Sequence, residues 1–294
     1  MLATMTGSRR AKSAAEVAVF TAKTRVLALA RLAQWALRPQ DYPAPVLAPS
    51  AENFPYLLYE RALPIVSRSA PGGPPLEAGK LVNVALAAPA LDGLMLKPDR
   101  PFSFWRAVGR LAPALGYRPG ASYQDGCVVP AVGGGICMLS NALFAMAAQL
   151  GWRILERHGH TLDGAPVSEA HWGLDATVFW PYVDLRFAPR EGQVRLELSV
   201  LSGTLHLRAR GTEPQRGAVE LESINGRTVV REGSLFRENR IRLRLIDDAG
   251  ATLAEEIIAD NRKRLRVAGE IGVSCLDCSE TRCHLHDRAR EGID

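Results

Sequence analysis

The feature that most limits what this chain can fold into is a change of hydrophobic period along its length. From Lys80 to Gly151 the apolar residues recur at helical spacing between loops, and Met138–Leu150, dense in Ala, Leu and Met, reads as a strong helix. Beyond about residue 190 the spacing becomes alternate. Val194–Leu201 and Thr204–Arg210 alternate around Ser202-Gly203, and Ala218–Ile224 and Thr228–Arg231 flank Asn225-Gly226, a hairpin signal. Arg240–Ile246 alternates again, stops at Asp247-Asp248-Ala249-Gly250 and resumes over Leu253–Ile258. A helical front half followed by an antiparallel sheet predicts an α+β fold.

The 294 residues are 47% hydrophobic and 23% charged, which supports a sizeable core and excludes a disordered or collagenous chain. Five segments are expected: a basic helix within 1–40, a Pro/Gly-rich connection over 41–79, a core over 80–190, a β extension over 191–268 and a Cys/His-rich end over 269–294. The net charge of +5 is unevenly spread. Residues 1–40 hold seven basic residues and one acid, a net of +6, so the other 254 residues net −1. The body carries no basic footprint for nucleic acid.

Residues 14–38 read as an amphipathic helix, with Lys23, Arg31, Gln34 and Arg38 on one side and Val26, Leu29, Leu32, Ala33 and Trp35 over most of the other. Two placements are open: an anionic membrane surface, or the protein's own body with the basic side solvated. No stretch reaches the roughly 20 apolar residues that span a bilayer. Charges recur through the N-terminal segment, so a cleaved secretory signal is not expected. The odd count of five cysteines does not form a spaced disulfide framework. The expected location is cytoplasmic, with a peripheral position at the inner membrane face as its variant.

The chemistry concentrates at Gly133-Gly134-Gly135-Ile136-Cys137-Met138-Leu139-Ser140. Three glycines let the backbone turn and approach a ligand closely, and Cys137 falls in the first helical turn, where the dipole favours a thiolate. Arg157, His158 and His160 follow at the end of a short strand, and Asp175 opens the next one. Cysteine, histidine and aspartate in this order suit a thiol triad: Cys137 as nucleophile, His160 (or His158) as base and Asp175 to orient the imidazole. Gly133, Gly134, Gly135 and Ser140 would contact substrate, and Arg157 would hold a substrate carboxylate or pair with Glu156. Three other readings stand beside this one. Cys137 packs as a small buried residue, the histidines bond backbone at a turn, or Cys137, His158 and His160 bind a metal.

These segments resemble the VanW family. The resemblance is carried by Pro101-Phe102-Ser103-Phe104 with Val108-Gly109, Gly116-Tyr117, Gly133–Ser140, Glu156–Thr161, Asp175–Val178 and Asp184–Phe187. A weaker likeness runs through Glu238-Asn239-Arg240-Ile241 and Asn261. Met138 stands where the family usually has Gln, and Thr161 where it has Ser. The resemblance implies a cell-envelope context and a peptide or peptidoglycan-precursor-like small molecule as partner. The wall-binding modules that often precede this domain are not seen in the sequence, which favours a single-module cytoplasmic version. A Cys-dependent hydrolase or acyl transferase, papain-, NlpC- or transglutaminase-like by analogy, is one expectation. A non-catalytic accessory protein that holds an anionic group at the helix N-terminus is the other.

Near the end, Cys275-Leu276-Asp277-Cys278 precedes Cys283-His284-Leu285-His286. Two thiolates at C-x2-C spacing, with Cys283 and His286 or His284, make a candidate tetrahedral structural zinc site. An iron–sulfur cluster and a reduced, unliganded tail are the alternatives. Cys127 stands apart and reads as packing.

Overall fold

Helix α4 (Cys137–Gln149) organises the fold, and its composition explains why. Leu139, Ser140 and residues 142–148 are all buried, so the helix is apolar almost all round and must be covered on every side. The computed structural model describes residues 13–66, 73–124, 127–163, 172–231 and 233–265. The helix ends at Gly151, whose φ of 69° lets Trp152 donate back to the Ala147 carbonyl at 2.9 Å.

One cover is a four-stranded antiparallel sheet in the order β1 (Tyr56–Pro64), β9 (Thr204–Gly211), β8 (Val194–Leu201), β2 (Met95–Leu96). Its alternation sends Val194, Leu196, Leu198, Leu205 and Leu207 into the core that also contains Leu139, Leu143 and Phe144 of α4. Another cover is a small sheet of β3 (Phe102–Ser103), β7 (Arg186–Ala188) and β6 (Arg153–Glu156), where Phe102 stacks on Phe187 at 4.6 Å. Short helix α3 (Phe104–Val108) follows β3. Helix α2 (Gly73–Ala87) packs against the hairpin of β4 (Pro119–Gln124) and β5 (Cys127–Val132). The last three strands, β10 (Ala218–Arg231), β11 (Ser234–Ile246) and β12 (Thr252–Arg264), form a separate antiparallel sheet.

The fold is α+β, and several local expectations are revised. Ser202 and Gly203 have φ of 49° and 76°, the pair of left-handed residues that a tight β8–β9 hairpin requires. Asn225-Gly226 is not a hairpin turn. The chain runs through it as one strand, with Ile224 opposite Arg240 and Arg227 opposite Glu238, so the pair is a bulge in β10. The reversal comes later, where Arg231 pairs with Ser234. The connecting segment 41–79 contains β1, which the surrounding prolines concealed in the sequence. The stretch opened by Asp175 is an extended segment rather than a strand. The strand before the histidines stops at Glu156, so His158 and His160 lie on a loop. The candidate zinc ligands Cys275, Cys278, Cys283 and His286, with His284, lie outside the described residues, as does the side chain of Cys127.

Helix α1 (Ala14–Leu37) starts in a capping box between Ser13 and Glu16, and it packs the opposite way from the apolar-inward expectation. Arg31 turns inward, donating to both Glu156 carboxylate oxygens at 2.7 and 2.8 Å, to the Tyr182 carbonyl at 3.0 Å and to the Tyr42 hydroxyl at 3.1 Å. Trp35 follows it and meets Trp180 edge-on at 5.5 Å. The bidentate pair with Glu156, the Tyr182 and Tyr42 contacts and the Trp35–Trp180 contact together hold the helix in this rotation.

Asp184 joins these layers from the centre. It is fully buried, accepts from the Ser103 hydroxyl at 2.5 Å and takes the Trp105 and Leu185 amides at 3.1 and 2.9 Å. Burial raises its carboxyl from 3.8 to about 6 against those donors. A folded-state value above the unfolded one means a stability contribution that is full below 3.8 and lost as pH rises through about 6. Asp184→Asn keeps an acceptor for both amides and removes the titration. The stability of the wild type relative to Asp184→Asn is expected to fall across that window and then level. Denaturant unfolding at several pH values measures it, and a difference independent of pH would contradict the assignment.

Candidate active site

Cys137 opens α4, and the three glycines before it owe their identity to packing. A Cβ on Gly134 would stand 2.1 Å from the Gly120 carbonyl oxygen of β4, and one on Gly135, whose φ is 88°, would strike Lys80. Asn83 of α2 donates to the Gly134 carbonyl and to that of Arg118, both at 2.9 Å, which locks the loop to the hairpin. The close approach made possible by glycine is thus to the protein's own chain, to backbone at Gly134 and to side chains at Gly133 and Gly135. The amides of Ile136, Met138 and Leu139 donate to the Gly133, Gly135 and Ile136 carbonyls. Ser140 is buried and gives its hydroxyl to the Ala176 carbonyl at 2.6 Å, so it ties the aspartate segment to α4. Asn141 adds a second tie by accepting from the Ala176 amide at 2.8 Å.

Those ties run the segment 173–178 past the helix start. Cys137 is partly exposed as a residue, and its sulfur lies 3.7 Å from the Thr177 hydroxyl and 3.8 Å from the Val178 carbonyl. Asp175 Oδ2 accepts from the His160 backbone amide at 3.0 Å and meets His160 Nδ1 at 2.6 Å. With Nδ1 committed to the carboxylate, Nε2 is the ring nitrogen left for the thiol. Burial pushes the Cys137 thiol up, but hydrogen bonding to and the charge of His160 outweigh it, and the net shift is downward. For His160, burial favours the neutral ring, yet the Asp175 hydrogen bond and then the Cys137 contacts raise it to about 9. Asp175 is held below the usual carboxylate range by His160, Lys263 and Arg157 despite its burial. Cys137, His160 and Asp175 are therefore brought together as one electrostatic unit.

The other candidates go elsewhere. His158 is 47% exposed and bonds Glu156 at 3.2 Å, away from Asp175. A metal centre of Cys137, His158 and His160 is not formed: among the described residues no three His, Cys, Asp or Glu side chains gather to hold a metal. Arg157, 3% exposed, neither pairs with Glu156 nor points to solvent. It donates to the Asp175 and Gly173 carbonyls at 2.6 and 3.0 Å and to Asp175 Oδ1 at 3.2 Å, with its guanidinium over the Phe144 ring.

Sequence reasoning missed Lys263. Its ammonium reaches Asp175 Oδ1 at 2.6 Å from β12, with 7% exposure and the Trp172 ring beside it. Asn261, two residues earlier on the same face, donates to Asn239 Oδ1 at 2.9 Å and to the Gly173 carbonyl at 3.3 Å. Asn239 in turn donates to the Ser223 hydroxyl at 2.7 Å. The edge of β12 also binds the histidine loop, through Arg264 N to the Thr161 carbonyl at 2.8 Å and Asp163 N to the Arg264 carbonyl at 3.0 Å. The β10–β12 sheet thus supports both the His160 loop and Asp175.

The family described as "VanW like protein" matches residues 79–209. That span contains Cys137, His160 and Asp175 but not Lys263. The chain is 32% identical over 137 residues to the "Vancomycin B-type resistance protein VanW" of Enterococcus faecalis, covering 46% of this chain and 50% of that protein. It is 35% identical over 111 residues to the "Uncharacterized protein YoaR" of Bacillus subtilis, covering 38% of this chain and 36% of that protein. The chain therefore spans about half or less of these relatives' own length. No solved structure matches, and the likeness to papain-, NlpC- or transglutaminase-type enzymes rests on residue order alone. What the chain shares with this family and these relatives is a VanW-like domain over residues 79–209.

Proposed function

We propose that the chain is a cysteine-dependent hydrolase or acyl transferase acting on peptide or amide bonds of cell-envelope, peptidoglycan-related substrates. The observation that carries this reading is the 2.6 Å contact of Asp175 with His160 Nδ1, which leaves Nε2 as the ring nitrogen that can serve Cys137. Support for the substrate class comes from the likeness to the resistance protein named above. The accessory reading, in which the glycine loop holds an anion, has less behind it, because those glycines lie against Gly120 and Lys80.

In this reading the Cys137 thiolate attacks the amide carbonyl carbon, forming a C–S bond as the carbonyl electrons move to oxygen. The intermediate collapses by breaking the C–N bond, and His160 gives its proton to the departing amine. Water, or an acceptor amine, then attacks the thioester and loses a proton to His160. The C–S bond breaks, returning the thiolate and the imidazolium. His158, Arg157 and Ser140 take no proton in this sequence. Arg157 and Lys263 are positioning residues, because they reach the chemistry only through Asp175.

Labelling by a thiol-reactive amide probe tests the nucleophile. Cys137→Ala should abolish the fast-reacting label, and His160→Ala should move the pH dependence of labelling upward, towards and beyond an ordinary thiol. With a substrate in hand, the rate should rise through the lowered Cys137 titration and fall as pH passes about 9, where His160 loses its proton. A label confined to the other cysteines, unchanged in Cys137→Ala, would sink the proposal.

Lys263→Met keeps the buried stem and removes the charge. Labelling of Cys137 should slow by about tenfold, about 1.4 kcal/mol, with the pH profile displaced upward, and Lys263→Arg should recover most of it. A lower melting temperature with an unmoved pH profile would make Lys263 merely structural.

A further inference from the structure

Because Arg31 and Trp35 face the body of the protein, the opposite side of α1 faces outward, and that side is apolar. At 100° per residue the direction away from Arg31 and Trp35 is occupied by Val19, Ala22, Val26, Leu29, Ala33 and Leu37. Val19 is 68% exposed, Val26 64%, Leu29 68% and Leu37 79%. Among the described residues nothing covers this stripe. The helix is about 36 Å long at roughly 1.5 Å per residue. Its side-chain anchors to the body come from its last two turns, through Arg31, Gln34 and Trp35. Among the described residues no helix is long and apolar enough to cross a membrane.

Charge decides what fits the stripe. Lys23 borders it on one side and Arg25 on the other, both exposed, and Arg38 follows at the end. The one acid of the helix, Glu16, is engaged in the Ser13 capping box. The spacing Val19, Ala22, Val26, Leu29, Ala33 also fits a two-helix seam. Such a seam would have cations at both flanking positions, with no acid beside them to answer in a second copy. An anionic lipid surface answers both flanks at once, with headgroups meeting the lysine and arginine and acyl chains meeting the stripe. We propose that α1 is an interfacial helix that docks the protein, by its outward apolar face, on an anionic bilayer surface. This stands independently of the thiol chemistry.

Co-sedimentation of the full chain with vesicles tests it. Mixed phosphatidylglycerol–phosphatidylcholine vesicles should carry the protein down, and pure phosphatidylcholine far less. Val26→Asp with Leu29→Asp should reduce binding at least about tenfold, and the uncharged, helix-compatible Val26→Gln with Leu29→Gln should also weaken it. Lys23→Glu with Arg25→Glu should weaken binding and flatten its salt dependence. Circular dichroism of each variant controls for loss of the helix. No binding to the anionic vesicles, or binding undiminished by both substitutions at Val26 and Leu29, would overturn the proposal. So would stable dimers that these substitutions dissolve in the absence of vesicle binding, which would assign the face to a second copy.

Discussion

The carboxylate of Asp175 is the point on which the site depends. One oxygen holds His160 by its backbone amide and by its ring, and the other holds Arg157 and Lys263. A half-buried carboxylate is costly without partners, and two cations with an imidazole make its ionised form the stable one. That fixed charge keeps His160 protonated and, through it, draws the Cys137 thiol below its ordinary value. The three residues come from a helix start, a loop and an extended segment. Their registration rests on Ser140, Asn141 and the β12 edge rather than on a shared element.

This arrangement divides the labour between two parts of the chain. The VanW-like region supplies Cys137, His160 and Asp175, and the sheet after residue 209 supplies Lys263, Asn261 and Asn239. The sheet braces the site from outside the matched span, because the Gly173 carbonyl and the C-terminal side of the histidine loop, Thr161 to Asp163, end on it. A carboxylate pinned from two directions has little freedom to rotate, and such preorganisation is what a thiolate–imidazolium pair requires.

The α+β class and the pairing of His160 with Asp175 were legible because each depends on local signals: period, and residue order along the chain. Their secondary structure was less so. Asp175 sits in extended chain without a ladder partner, a state that alternation cannot distinguish from a strand. Lys263 was hidden in Asn261-Arg262-Lys263-Arg264, which reads as a solvated charge run. The strand pleat turns Ala259, Asn261 and Lys263 to one side, and continuing the alternation from Ala259 is the signal that would have found them. Asn225-Gly226 carries the same dipeptide as a turn, but the long pairing on either side of it leaves room only for a bulge. Arg31 inverts the rotation of α1 because its partner, Glu156, lies 125 residues away in sequence.

The central claim is that His160, oriented by Asp175, holds Cys137 as a thiolate. Following the ultraviolet absorbance of the thiolate with pH, in the wild type against Cys137→Ala, tests it most directly. The account predicts a Cys137-dependent titration below the ordinary thiol value of 9.0, displaced upward in both His160→Ala and Asp175→Asn. A titration at or above that value, unmoved by either substitution, would contradict it.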